Sequence, residues 1–488
     1  MAALGRRGLL AAALAFPDAA RAQAIPPTRL FNPTNEQIAG AFVTIAFGGD
    51  AEAGAPARTR LQRFRMPMRV GLLGEDAGSY APWVARHLRL LSRLTGQPIE
   101  IAPFDRANVV LLLSADAQRF LRASGQRTLL ARQFGGEAAL DGFLAGIGPD
   151  YGGLLAPAYD PGRPHDIAGG LVLIPTGRDP ALVWGGIVEE LTQLLGLLGD
   201  DSRIAWSIFN DNSPYVDLTD QDCWLVRLLY DRAIRPGMTR PEALRAAQEA
   251  MRRLRPGGII DGAGLPELTP GDAEVVEALL ALAFPPGRGR LVRWDVPVRS
   301  QVITDAASAP YRAWADAQIG HLAFLTRHVI EAADRQAPTL FIVIARDPTA
   351  TLAQPALRAT LGAVFGPLEE LDRSLARGTV PAAFRVTAFA DAERTRPRAG
   401  IVVVRGDAPS PRIWAGLVAQ TSAMLGQFAP VDALEASSFR TSLPYLDLTP
   451  LDQRVLRLLY LSAMRPGMTR AEARDAAQRA VGLSRIVP

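Results

Sequence analysis

The feature that most constrains this 488-residue chain is that it repeats itself. Residues 215–248 read YVDLTDQDCWLVRLLYDRAIRPGMTRPEALRAAQ, and residues 445–478 read YLDLTPLDQRVLRLLYLSAMRPGMTRAEARDAAQ, a constant offset of 230. The same offset pairs Arg63 and Pro67 with Arg293 and Pro297, and Trp184 and Gly186 with Trp414 and Gly416. An offset of 231 pairs Trp83 with Trp314 and Leu94-Thr95 with Leu325-Thr326. Ile38 to Phe47 resembles Val275 to Phe284, with a shorter loop after the second copy. Self-similarity at this spacing predicts two tandem domains of one fold, over 30–255 and 265–485. The intervening segment 256–264 reads as the linker, within a stretch rich in Arg, Gly and Pro from Arg252 to Gly264.

Each copy carries the same element order. A first helix is expected from Thr34 or Thr269, three residues before Gln37 or Asp272, side chains able to close a cap. A strand is expected around Met66–Leu72 and Val296–Ile303, then a long helix around Pro82–Leu94 and Ala313–Ile330. The dense apolar runs Val109–Leu113 and Leu340–Ile344 read as central buried strands, with further strands at Gly170–Ile174 and Ile401–Val404. Two final helices start at Thr219 and Thr239, with Asp222 and Glu242 three residues on, mirrored by Thr449 and Thr469. The repeated Arg-Pro-Gly-Met-Thr-Arg at 235–240 and 465–470 is what a short turn between two helices requires, so it carries no functional claim. The fold class is α+β.

Composition narrows the function classes. All 53 basic residues are arginine, and the formal net charge of +4 is small for this length, which gives nucleic-acid binding no support. One cysteine, Cys223, excludes an intrachain disulfide and reads as a spectator thiol. Residues 1–24 have the form of a secretory signal: Arg6-Arg7, the apolar run Gly8–Phe16, and the small-residue site Ala22-Gln23-Ala24. The paired arginines resemble a twin-arginine export address. The expectation is a periplasmic or secreted protein with no transmembrane segment.

One segment reads as a site. In the helix expected over Leu182–Leu195, Ile187, Leu191, Leu194 and Leu198 share an apolar arc, Glu189 and Gln193 lie on the other side, and Glu190 sits at the border. Asp200-Asp201 and the polar loop Ser207–Asn212 follow. The order Glu189-Glu190-Leu-Thr-Gln193-Leu-Leu-Gly196-Leu-Leu-Gly199-Asp200 is similar to the zinc helix of metzincin peptidases, His-Glu-x-x-His-x-x-Gly-x-x-His-Asp. The glutamate, turn glycine and aspartate are kept as Glu190, Gly196 and Asp200. Glu189, Gln193 and Gly199 stand where that family has its three histidine ligands, and this set falls short of the three protein ligands of a catalytic zinc. With the Ser-Ile-Phe-Asn-Asp loop and the helix pair, the chain resembles the uncharacterised DUF2927 family of exported bacterial proteins. That resemblance implies two tandem copies of a zincin-like domain with a mixed sheet and packed helices, and no established activity.

The second copy has Ala419, Gln420 and Ala423 where the first has Glu189, Glu190 and Gln193, so any site belongs to the first copy. His87, His165, His321 and His328 lack ligand spacing and read as ordinary surface or half-buried residues. Three readings follow. The leading one is a non-catalytic pseudo-peptidase of the cell envelope, without cofactor, that binds a periplasmic protein, peptide or glycan. A second is a hydrolase in the first copy, with Glu190 or Glu189 as one catalytic acid and Asp200, Asp201 or Asp211 as the other, acting on peptidoglycan or peptide. A third is a calcium site built from oxygens of Asp200, Asp201, Asn210, Asp211 and Asn212. Gln193 joins Asp201, Asn210, Asp211 and Asn212 as a candidate binding residue.

Overall fold

The computed structural model describes residues 12–15, 33–48, 57–133, 136–145, 151–204, 207–210, 213–256, 269–333, 337–376, 382–434, 436–440 and 447–485. These fall into two compact units, one over residues 32–260 together with the strand Ala12–Ala15, the other over 261–488. Most of the expected linker and of the expected export signal lies outside the described residues.

Both units are built on a mixed sheet with one strand order. In the first it runs Ala12–Ala15, Tyr151–Asp160, Arg163–Pro175, Val109–Ser114, Met68–Leu73 and Ile99–Ile101, with Arg63–Phe64 beside Arg163–Pro175. In the second it runs Ala383–Phe389, Pro397–Arg405, Leu340–Ala345, Val298–Thr304 and Ile330–Ala332. The inner strands are parallel and the hairpin at one side is antiparallel. Val109–Ser114 and Leu340–Ala345 are buried at every position, as parallel strands covered on both faces must be. The pairing register corresponds between the units: Leu155 lies opposite Val172, and Arg385 lies opposite Val402.

Each sheet is covered on both faces. Three short helices, Ala117–Ser124, Arg127–Gln133 and Glu137–Ala145, pack one face of the first through Leu121, Leu130 and Phe143 against Leu112 and Leu171. Pro348–Ala353, Pro355–Phe365 and Glu369–Ala376 do the same in the second, with Leu361 and Leu371 against Phe341 and Ile401. On the opposite face lies the helix Pro180–Gln193, or Ser410–Gly426 in the second unit. Its seating depends on small strand residues: a Cβ at Gly170 would stand 2.9 Å from Leu194, and one at Gly400 would stand 2.8 Å from Met424.

The structure departs from the sequence reading in several places. The hairpin strands Tyr151–Asp160 and Ala383–Phe389 were not anticipated, nor were the short strands at the other edge. The helix expected to reach Ile330 ends at Thr326, because Arg327 turns left-handed at φ 53° and Ile330–Ala332 becomes a strand. In the second unit the first helix is capped at Gly271, whose N–H donates to Glu274, rather than at Thr269. Asp272 instead receives Arg454 and Arg485 at 2.7 and 2.6 Å. The caps at Thr34, Thr219, Thr449 and Thr469 form as expected. Among the described residues no helix is long and apolar enough to cross a membrane.

Candidate functional site

The acidic helix Pro180–Gln193 begins where the Asp179 carboxylate accepts the Ala181 N–H at 2.8 Å and Pro180 presets the first turn. It ends in a turn that leads to Gly196 at φ +126°, where a Cβ would collide with the Gln62 carbonyl. Between these ends the helix is buried on all sides. Glu189 is 6% exposed, Glu190 1% and Gln193 4%, so the side opposite the leucines is no solvent face. The helix Ala77–Thr95 packs on the side that carries Trp184 and Thr192. Trp83 and His87 meet Trp184 edge-on at 5.7 and 6.1 Å, and Arg86 lies 5.2 Å over the same ring. Asp217 ties the two helices together, accepting from Trp184 Nε1 at 2.9 Å and from Arg86 at 3.1 Å.

Glu190 faces the sheet. Its carboxylate stands over Gly153 on the strand Tyr151–Asp160, where a Cβ would come within 2.6 Å of Oε1. Gly153 is therefore part of the site, and sequence reasoning missed it. Gln193 donates from Nε2 to Asp200 Oδ1 at 2.8 Å, which pins the chain just after the helix. Asp201 is committed to Arg203, with contacts of 2.6 to 3.1 Å, and those bonds hold its carboxyl below the usual range. Asn210 uses its amide to donate to the Ser202 and Ile204 carbonyls at 3.2 and 3.1 Å. Each described member of the expected calcium set thus has a protein partner of its own. Asp211 and Asn212 lie outside the described residues. Among the described residues no group of three or more His, Cys, Asp and Glu side chains is placed to hold a metal ion.

His87 corrects the sequence reading, since it is 2% exposed rather than half-buried, and His321 is buried as well. The Nε2 atom of His87 is 3.2 Å from Thr192 Oγ1, and burial, reinforced by Arg86, lowers its pKa to about 3. The ring is neutral at physiological pH. The signal was available: Val84, His87, Leu88 and Leu91 form one stripe at helical spacing. Asp222 does more than cap its helix. It accepts Ser207 Oγ, the Ile208 N–H at 3.1 Å and both Thr219 donors, and burial lifts its carboxyl to about 6 against those bonds. Asp452 repeats the clamp with Ser437, Ser438 and Thr449, so the device belongs to the scaffold rather than to a site. Cys223 is buried, and burial pushes its thiol well up, which suits a spectator.

Two regions, 35–249 and 277–479, match the model described as Protein of unknown function (DUF2927). The chain belongs to the DUF2927 family. No curated protein and no solved structure matches it. One matched region falls in each of the two units, which share a strand order.

In the second DUF2927 region the corresponding corner is rebuilt. Gln420 replaces Glu190 and accepts from Arg385 at 2.8 Å, and Arg385 stands where the first unit has Leu155. Ala383 takes the place of Gly153.

Proposed function

We propose that this DUF2927 protein is a non-catalytic, exported binding protein that captures an extended peptide or protein segment along the edge strand Tyr151–Asp160. One observation carries the reading. That strand already takes an antiparallel partner from far away in the sequence, the apolar segment Ala12–Ala15, with Ala13 opposite Leu154 and Leu14 opposite Gly153. An edge strand offers a row of backbone donors and acceptors to any extended chain, and strand addition is a general mode of peptide capture. Ala12–Ala15 falls inside the segment read as a cleaved export signal, so maturation would vacate the edge beside the acidic helix. Glu190, seated over Gly153, then serves to fix the helix against the strand that receives the ligand.

The fold is read as a peptidase-like scaffold that has lost its chemistry. Gln193 is spent on Asp200, Asp201 on Arg203, and His87 is buried against Thr192 on the far side of the helix. The hydrolase alternative needs Asp200, Asp201 or Asp211 as its second carboxylate; these bonds compete for the first two, and Asp211 lies outside the described residues.

Hydrogen exchange on the chain lacking residues 1–24 tests the proposal. The backbone amides of Tyr151–Asp160 are expected to exchange faster than in the full-length chain. A capped peptide carrying the sequence Leu10–Phe16 is expected to restore their protection without being cleaved. Unchanged exchange at millimolar peptide would overturn strand capture, and cleavage of the peptide would overturn the non-catalytic reading.

A further inference from the structure

The second unit holds a hollow of about 350 Å³ along the strand Ala383–Phe389, at the corner equivalent to the acidic helix of the first. Its walls include Arg385, Thr387, Arg394, Gln420 and Gln427, with Phe389 as an aromatic side and Glu370 at the lip. Arg385 donates to Gln420 Oε1 at 2.8 Å and to the Phe428 carbonyl. These bonds occupy two of the five N–H donors of a guanidinium, and among the described residues no carboxylate is paired with it. Burial, with Arg288 close by, lowers its pKa to about 10, so it stays charged at neutral pH. Arg394 lies 4.8 Å over the Phe389 ring, which orients a second guanidinium at the hollow. Two guanidinium groups thus line a hollow that a single lining carboxylate, Glu370, partly offsets.

Backbone strain points to the same place. Three described non-glycine residues have positive φ, and two of them, Arg394 at 55° and Gln427 at 50°, line the hollow. At Gln427 the left-handed backbone is the C-cap of the helix Ser410–Gly426, and it aims the side chain along the strand. Gln427 is held there by its Nε2 bonds to Thr387 Oγ1 at 2.8 Å and the Met424 carbonyl at 3.0 Å. None of this is required by the shared scaffold, because the first unit seats its helix with Leu155 and Leu197 at the positions of Arg385 and Gln427.

We propose that the hollow lined by Arg385, Arg394 and Gln427 is a binding site for a carboxylate group, held by the free N–H donors of Arg385 with Arg394 closing over it. A guanidinium fork matches the two oxygens of a carboxylate. The cavity is large enough for a small organic acid, and its position along a sheet edge equally admits an acidic side chain of an extended peptide. The site stands whether or not the first unit captures peptides.

Titration calorimetry on the full chain tests it with two probes, succinate and the capped peptide acetyl-Leu-Glu-Leu-Glu-Leu-amide. At least one is expected to bind at a single site, and to bind about tenfold or more weakly to Arg385→Leu, which installs the residue of the first unit. Arg394→Ala, at an exposed position, is expected to weaken binding in the same direction and decides the matter if Arg385→Leu loses its fold by circular dichroism. Succinate binding assigns the ligand as a small acid; binding of the peptide alone assigns it as a peptide carboxylate. Absence of binding by either probe at about millimolar concentration, or affinity unchanged in the folded variants, would overturn the proposal.

Discussion

The two units share a strand order and a helix over the same sheet face, yet the corner where helix meets edge strand has opposite character. In the first unit an acid, Glu190, is buried over Gly153, with Leu155 as the next residue on that face of the strand. In the second, Gln420 is neutral, Ala383 fills the glycine's place, and Arg385 brings a positive charge into an open hollow. The exchange is compensated within each unit: where the helix carries the acid, the strand is stripped to glycine, and where the strand carries the cation, the helix supplies an acceptor. One scaffold can thus hold either a carboxyl or a guanidinium at this corner while its apolar packing, Leu194 on Gly170 or Met424 on Gly400, is kept.

Acid should separate the units most strongly. His87 and Gln318 occupy the same helix position by the repeat offset, and Gln318 donates to Ser422 at 3.2 Å where His87 meets Thr192. The folded pKa of His87 is about 3, below its ordinary 6.5. Between these values the unfolded chain binds the extra proton, so stability contributed by the neutral ring is full above about 6.5 and is lost as pH falls toward about 3. The shift sets an upper bound of about 5 kcal/mol on that loss. Asp222 has a raised folded pKa and gains stability in the opposite direction as pH falls, but Asp452 is raised too, so this effect is common to both units. Burial lowers His328 of the second unit in the same direction, though less far than His87, so hydrogen exchange followed from pH 7 to 4 is expected to show the first unit opening before the second, with His87→Gln narrowing or reversing the difference. Simultaneous opening in the unaltered chain would break this part of the comparison.

A smaller effect is expected at the strand. Gly153→Ala brings a Cβ within 2.6 Å of the Glu190 carboxyl, an overpacked contact, and should cost about 1–3 kcal/mol in the first unit. The second variant Gly153→Ala/Glu190→Gln installs the pair found in the second unit and is expected to recover most of that loss. Urea unfolding monitored by local exchange reads both. Equal stability of Gly153→Ala and the unaltered chain would mean that the carboxylate is not held against the strand.

The sequence made some of this legible and hid the rest for physical reasons. The offset of 230 pointed to two similar halves, which share a strand order, and Thr219 with Asp222 disclosed a helix start, because caps need particular side chains at fixed spacing. Ser207 as the third member of that clamp was not legible, since it lies in a loop with no local pattern tying it to Asp222. The strand Tyr151–Asp160 was hidden by Gly152, Gly153 and Pro157, which argue against a strand in isolation. They are tolerated because the strand lies near the sheet edge and because Gly153 makes room for Glu190. The burial of Glu189 and Gln193 was missed because a helical wheel separates apolar from polar residues but does not show what packs on each side, and here both polar residues are buried. Arg385 carried no motif at all. Its meaning came only from the register that sets it opposite Val402 and equates it with Leu155.

The most direct test of the central claim, that one scaffold presents two binding corners of different chemistry, is a hydrogen-exchange footprint of the chain lacking residues 1–24 with two capped peptides. The account predicts that the apolar peptide of Leu10–Phe16 sequence protects Tyr151–Asp160, and that acetyl-Leu-Glu-Leu-Glu-Leu-amide protects Ala383–Phe389. The same footprint for both peptides, on either strand, would contradict it.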